Sequence, residues 1–434
     1  MNRRTPCLLA LLAALAPVQA IWYGSIARAD PVLSAGREVA AAFSPSSGSM
    51  TVYVPTNYVA QGKWPALFFY HGMGGKPDTA WWRGLTHDRD YIIAAMPYLE
   101  ADGVTRTLQE QQAYEKRELA NFRLARQWLA THASVDESRV FLAGISKGGW
   151  MTSTLAEMEL PRLGGMIILL AGRPFGSNPR RLVSLVQNKA VYIGTGETDP
   201  NNMPARRARE VYRRNGASVT FEEYAGLGHE APPEPERLHA WLELNGRYRQ
   251  ESLTPAVTNA LAASFEARLA SALAEKIEMS RNSMLSDLAE DPRFRLCDPA
   301  FRQRVQQPLS LLKEHTPVKE ECAAESAFND LAYGEACMTS LPDMKKVLDG
   351  YQFLAQTYPQ TRYGKLAGQY APSLAAAYQK SLEATRQANA GRPAPTNAVS
   401  VTKPSFPSVS PSRPAIPVPV RTGNKITFGP PAGK

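Results

Sequence analysis

The sequence predicts an α/β domain followed by an all-α region and a disordered, proline-rich tail. Three observations carry that prediction. Residues from about 48 to 245 alternate short apolar runs with longer amphipathic segments, the pattern of a sheet with flanking helices. After Thr254, helical patterns continue to about Ala390 with no strand-like run. From Gly391, 10 prolines fall within 44 residues among Ser, Thr and Ala, a composition that cannot bury a core. The 434 residues, 44% hydrophobic and 21% charged, are those of a globular protein with two or three folded units. That content excludes whole-chain disorder and a membrane-embedded body. The expected divisions are 1–29, 30–250, 251–390 and 391–434.

The first residues read as an export signal. Arg3 and Arg4 precede an apolar run of 12 residues, Cys7 to Val18. Small-residue cleavage sites follow at Ala20 and at Ala29, and Ala27-Arg28-Ala29 before Asp30 has the better form. The run falls short of the roughly 20 residues that a membrane span needs, and no later stretch is long enough. The mature chain is therefore expected outside the cytoplasm, periplasmic or extracellular. It keeps Cys297, Cys322 and Cys337, an odd number that allows at most one internal disulfide. Cys322 and Cys337 are the nearest in sequence and the first pair to consider. No CxxC or neighbouring histidine completes a metal site, so no metal is expected.

The formal charge of +9 lies at the ends. Residues 1–29 carry three arginines and no acid, and the tail carries six basic residues and no acid. The folded part is near neutral, so the basic balance does not point to nucleic acid. A basic, extended tail is instead suited to anionic envelope surfaces.

Within the α/β segment the expected strands are Met50–Val54, Ala66–Tyr70, Tyr91–Ala95, Val140–Ala143, Gly165–Leu170, Ala190–Gly194 and Ser218–Tyr224. Leu108–His132 reads as a helix with an apolar stripe of Leu119, Phe122, Leu124, Trp128 and Leu129. Trp150–Glu159 and Ala205–Asn215 read as two more. In the following region Thr254-Pro255 is a helix start. Leu261, Phe265, Leu269, Leu273 and Ile277 recur every four residues and are expected on one face. Tyr358-Pro359-Gln360-Thr361-Arg362-Tyr363 resembles the turn between helices of tetratricopeptide-like repeats. No second copy recurs at a fixed period, so an ordinary helical bundle is the plainer reading.

The chemistry centres on Gly144-Ile145-Ser146-Lys147-Gly148, set between an apolar strand and a helical segment. A serine on so sharp a turn projects its hydroxyl from the sheet edge, and glycines two residues either side let strand and helix cross closely. The pentapeptide alone has little specificity; its strand-to-helix setting supplies it. Upstream, a strand runs into His71-Gly72-Met73-Gly74-Gly75, a turn able to aim a backbone N–H at a developing oxyanion. Met73 and Lys147 are the expected oxyanion donors, and His71 is a turn residue. Downstream, a strand ends in Glu197-Thr198-Asp199, and Gly228-His229 follows the next strand. Ser146 as nucleophile, His229 as base and Asp199 as the residue orienting the base make a triad, with Glu197 the rival acid. His87, His132, His239 and His315 lack such context. Trp81, Trp82 and Tyr98 are candidates for a substrate pocket, with packing as the alternative for each.

On these motifs, residues about 50–245 resemble the compact α/β-hydrolases of the phospholipase/carboxylesterase and polyhydroxybutyrate-depolymerase-like esterase group. The resemblance implies an eight-stranded sheet, cofactor-free ester hydrolysis and an acyl-enzyme intermediate. Met73 inside the oxyanion turn and Lys147 after the serine depart from the pattern, but neither removes a backbone donor. About 20 residues between Ala171 and Val191 leave no room for a large lid, which suits accessible small or polymeric esters. Two other readings compete: a serine peptidase of prolyl-oligopeptidase type, which shares the triad but calls for a propeller-like β domain, and an envelope-binding protein whose helical region and tail carry the main role.

Overall fold

The computed structural model describes residues 33–100, 104, 106–173, 186–231, 235–247 and 255–390. The expected export signal, the proline-rich tail and most of the segment between Ala171 and Val191 lie outside the described residues.

Eight strands form one sheet: β1 (Glu38–Ala41), β2 (Met50–Tyr53), β3 (Trp64–Tyr70), β4 (Ile92–Met96), β5 (Val135–Ile145), β6 (Gly165–Leu169), β7 (Ala190–Gly196) and β8 (Ser218–Tyr224). Their order is β1-β2-β4-β3-β5-β6-β7-β8. β1 pairs antiparallel with β2 and β2 with β4, and every later pairing is parallel. The central strands are buried on both faces, which is why they read as continuous apolar runs rather than as alternating ones. Each expected strand is present. β5 is longer than expected, and β1 was not expected at all, because its four residues bury only Ala41 fully.

One face of the sheet packs under α2 (Leu108–His132), α3 (Lys147–Glu159) and α4 (Asn202–Arg214) through Phe68, Phe122, Leu142, Leu155 and Val211. The other packs under α1 (Ala80–Leu85) and α5 (Glu236–Leu242), where Trp82, Phe141, Tyr192 and Trp241 meet. α2 has the expected bounds because Thr107 and Glu110 cap it reciprocally, each side chain meeting the other's backbone N–H. Its stripe is narrower than expected: Leu119, Phe122 and Leu129 are buried, Trp128 is half-buried and Leu124 is exposed.

Among the described residues six α-helices follow: α6 (Pro255–Ala274), α7 (Glu278–Glu290), α8 (Pro299–Leu312), α9 (Thr316–Cys337), α10 (Leu341–Thr357) and α11 (Arg362–Ala390). Residues to Leu382 form one compact unit; of the second unit, from Glu383, only the end of α11 is described. Phe265, Leu285, Phe301 and Val318 centre one helical core, and Phe328, Tyr351, Leu354 and Tyr363 another. The Tyr358–Tyr363 segment does turn between two helices, α10 and α11.

Two expectations are corrected in this region. Phe265 and Leu269 are buried, whereas Leu273 and Ile277 are exposed and α6 ends at Ala274. At 3.6 residues per turn, each four-residue step rotates about 40°, so a strict spacing of four walks off the buried face. Cys322 and Cys337 cannot pair. Both lie on α9, fifteen residues and hence about 22 Å apart along a rigid helix, against a Cα separation of about 7 Å at most for a disulfide. All three cysteines are free thiols.

The helices dock on α4 and β8. Met203 of α4 joins the core of Phe328 and Tyr351. Arg207 pairs with Glu335, Arg214 with Asp330 at 2.6 Å, and Arg362 with Glu223. Arg237, on α5, spans Asp287 at 2.7 Å and Glu290 at 2.8 Å.

Candidate active site

Ser146 stands alone between β5 and α3 with φ 55° and ψ −118°. A non-glycine residue in that region is strained by about 1–3 kcal/mol and persists only where its surroundings compel it. Here the compulsion is steric. A Cβ on Gly148 would lie 1.9 Å from the carbonyl oxygen of Tyr70, and one on Gly144 would lie 2.1 Å from that of Gly148. Strand and helix therefore cross at a distance only glycine permits. The Ser146 amide donates to Leu169 O at 2.9 Å, which ties the turn to β6.

The hydroxyl meets a histidine from the far end of the sheet. Ser146 Oγ lies 2.7 Å from His229 Nε2, and His229 Nδ1 lies 2.9 Å from Asp199 Oδ1. A carboxylate only accepts, so Nδ1 carries the proton, Nε2 accepts, and the serine hydroxyl donates. The Asp199 side chain is 0% exposed and the His229 side chain 37%. The acid is thus shielded from water while the imidazole opens to it. Asp199 Oδ1 also accepts from Asn201 N at 2.7 Å, an Asx-turn that fixes the carboxylate. The sequence Asp199-Pro200-Asn201 carries that turn signal, although Asn201 was not singled out from it.

The loops holding acid and base are joined. Thr198 N donates to Leu227 O at 2.9 Å, and a Cβ on Gly196 would lie 2.1 Å from Gly228 O. Glu197, the rival acid, is exposed and accepts from Gly226 N at 2.9 Å, which latches the loop. Beyond the end of β7, Asp199 thus meets His229 and Glu197 meets Gly226.

The His71–Gly75 turn follows β3 and closes through Gly75 N to Gly72 O at 3.1 Å, with Gly74 at φ 72°. A Cβ on Gly72 would lie 3.6 Å from Ser146 Cβ, so the turn rests against the serine. Met73 lies in it with its side chain exposed, and Lys147 opens α3, so its amide belongs to the end of the helix where N–H groups face anions. His71 donates from Nδ1 to Gly72 O at 2.8 Å, a turn role.

The other histidines bond or stack elsewhere. His87 stacks with His239, His132 donates to Trp128 O at 2.7 Å, and His315 meets Glu278 at 2.7 Å.

The aromatic candidates divide. Trp82 is fully buried against Phe69 in the core, because α1 packs that face onto the sheet. Trp81 is half-buried beside it. Tyr98 lies at the site, but its hydroxyl donates to His71 O at 2.7 Å and so serves the turn.

A mainly parallel eight-stranded sheet, with a serine elbow after β5, an acid after β7 and a histidine after β8, decides the architecture. This is the α/β-hydrolase fold.

No family model matches the chain. Solved structures that resemble the hydrolase fold here include a CE1 ferulic acid esterase from Anaeromyces mucronatus in complex with ferulic acid. It is 14% identical, with a TM-score of 0.38, over 50% of this chain and 91% of that one. A phospholipase/carboxylesterase from Dyadobacter fermentans is 17% identical, with a TM-score of 0.34, over 46% and 94%. A thermostable esterase is 18% identical, with a TM-score of 0.34, over 50% and 60%. The fold assignment rests on the strand order and the elbow themselves.

Proposed function

We propose that this chain is an exported serine hydrolase that cleaves carboxylic esters through Ser146, His229 and Asp199. The observation that carries the reading is the continuous relay from a strained, projecting serine hydroxyl through His229 to a buried carboxylate. His229 takes the serine proton as Oγ attacks the ester carbonyl, and Asp199 holds the tautomer and stabilises the imidazolium. The oxyanion forms against the N–H groups of Met73 and Lys147. Collapse expels the alcohol, which receives its proton from His229, and leaves an acyl-Ser146 ester. Water, deprotonated by the same histidine, then releases the acid and restores the serine.

Every described strand belongs to one sheet, so among the described residues there is no second β domain of the kind a prolyl-oligopeptidase-type peptidase calls for. The test is labelling with a fluorophosphonate, peptide mapping of the adduct, and turnover on matched short-chain esters and peptide amides. Labelling at Ser146 with ester turnover supports the proposal. A protein that takes no label, or that cleaves only the amides, sinks it.

Export and surface attachment form part of the same proposal. They are supported by the signal-like start and by a tail with six basic residues and no acid. Such attraction is screened with a Debye length of about 8 Å at physiological salt. Removing 391–434 is expected to leave small-ester turnover unchanged while weakening salt-sensitive co-sedimentation with envelope material. Equal binding by both proteins removes the attachment role.

A further inference from the structure

The turn bearing Met73 and the helix opening at Lys147 come from different parts of the chain, yet both rest on one aromatic ring. Tyr98 follows β4 by two residues. Its hydroxyl donates to His71 O at 2.7 Å, and the same ring meets the His71 imidazole edge-on, 4.9 Å between centroids at 83°. The Lys147 ammonium sits 3.8 Å from the Tyr98 ring centroid, within cation–π range. Tyr98 thus touches both segments that would supply an oxyanion donor.

The turn needs such an anchor. His71-Gly72-Met73-Gly74-Gly75 has three glycines, and their backbone freedom, which lets the chain fold so tightly, also lets it move. The carbonyl of His71 is wedged: a Cβ on Gly148 would lie 2.7 Å from it on the α3 side, and Tyr98 bonds it. The direction of that carbonyl sets the tilt of the peptide from which the following N–H groups continue. Tyr98 is itself held from beneath. The amide of its neighbour Leu99 donates at 2.8 Å to Oε1 of Glu118, a fully buried carboxylate on α2. Burial pushes the Glu118 carboxyl up, opposed by the Leu99 N–H, the Tyr114 hydroxyl and the positive charge of Lys147.

We propose that Tyr98 is a positioning residue for the oxyanion site, setting the spacing between the His71–Gly75 turn and the start of α3. The proposal rests on Ser146 as the nucleophile. It gives Tyr98 an influence on transition-state stabilisation and not on ground-state binding, because the oxyanion exists only during reaction.

The test is Tyr98→Phe, which keeps the ring, its packing and the contact with Lys147 and removes only the hydroxyl. Deleting an oxyanion donor outright lowers kcat by about 10²–10³-fold, and loosening one is expected to lower it about tenfold. On a soluble short-chain ester we expect that fall in kcat with KM unchanged. A boronic acid, which binds Ser146 as a tetrahedral adduct with an oxygen in the oxyanion site, is expected to weaken by the same factor. The melting temperature reports on packing and is expected to hold. Unchanged kcat and boronate affinity overturn the proposal, as does a rise in KM at constant kcat, which would make Tyr98 a substrate contact. Failure of the wild-type protein to take fluorophosphonate at Ser146 is a different result and overturns the reading beneath.

Discussion

Replacing Gly148 with alanine tests the elbow at the point where the structure leaves it no room. The added methyl would stand 1.9 Å from Tyr70 O, 2.6 Å from Tyr70 C and 2.7 Å from His71 O. All three are backbone atoms, so no rotamer change relieves the clash. Carbon–carbon contacts settle at about 3.5–4.0 Å, so α3 must withdraw from the end of β3 by at least roughly 1 Å. Overpacking of this kind costs about 1–3 kcal/mol of stability. The same withdrawal parts the two oxyanion segments, since Tyr70 and His71 lead into the turn and Lys147 precedes Gly148. A displacement of about 1 Å in a reacting constellation costs about 10²-fold in rate. The assay is kcat and KM on a 4-nitrophenyl ester beside thermal unfolding. Gly84→Ala serves as the control: it lies in α1, nothing is within 4 Å of the added carbon, and removing a helical glycine is worth about 0.5–1 kcal/mol. The expected pattern is a cold, slow Gly148→Ala and an active, slightly more stable Gly84→Ala. A folded Gly148→Ala with near-wild-type kcat would refute the account of the elbow.

Three further outcomes follow from the site and the helical region. Ser146→Ala is expected to lose ester turnover by several orders of magnitude while unfolding normally; residual activity within about tenfold of wild type would remove Ser146 as nucleophile. Asp199→Asn is expected to lower kcat about 10⁴-fold by stranding His229 in the wrong tautomer. Glu197→Gln, which keeps an acceptor for Gly226 N, is expected to do far less, and the reverse ranking in the same assay would reassign the acid. Asp291 joins Arg268 and Arg293, each through a bond at or below 3.0 Å. Burial pulls its carboxyl up, but the two guanidinium groups and the Arg293 N–H outweigh burial and hold it below the ordinary value. A depressed folded-state pKa stabilises above the unfolded value of about 3.9 and is lost as pH falls through the folded one. Thermal midpoints measured below about pH 4 are expected to fall less steeply for Asp291→Asn than for wild type; parallel curves would show that this cluster does not set acid stability.

Sequence patterns are local, and what was legible in this chain is local too. Leu108–His132 could be read from its apolar stripe, and the structure starts it there because Thr107 and Glu110 cap it within one turn. β3 to β8 could be read because each is a short apolar run between turn signals. Gly144 and Gly148 announced a close crossing, and the order of serine, acid and histidine placed all three at the same sheet edge. β1 was not legible, since an edge strand that buries only Ala41 has no pattern to show. Nor was the end of α6, because four-residue spacing looks amphipathic in a list while drifting about 40° per step on a real helix.

The residue types and their order along the chain determined the α/β architecture, the strained serine and the candidates for its partners. Tertiary structure decided between candidates that are equivalent in one dimension. Asp199 and Glu197 are two residues apart at the end of one strand; only the path of the chain after β7 turns one carboxylate towards His229 and the other towards Gly226. Trp81 and Trp82 are adjacent, and only the packing of α1 sends the second wholly into the core. Cys322 and Cys337 look close in sequence and are kept about 22 Å apart by a straight helix. Tyr98 could as well have faced a pocket. Its place under the His71–Gly75 turn is set by the parallel pairing of β3 with β4, which brings Tyr70 beside Met96 and so His71 to the Tyr98 hydroxyl. Distances across a sheet depend on register and crossing, quantities that no single segment of the chain contains.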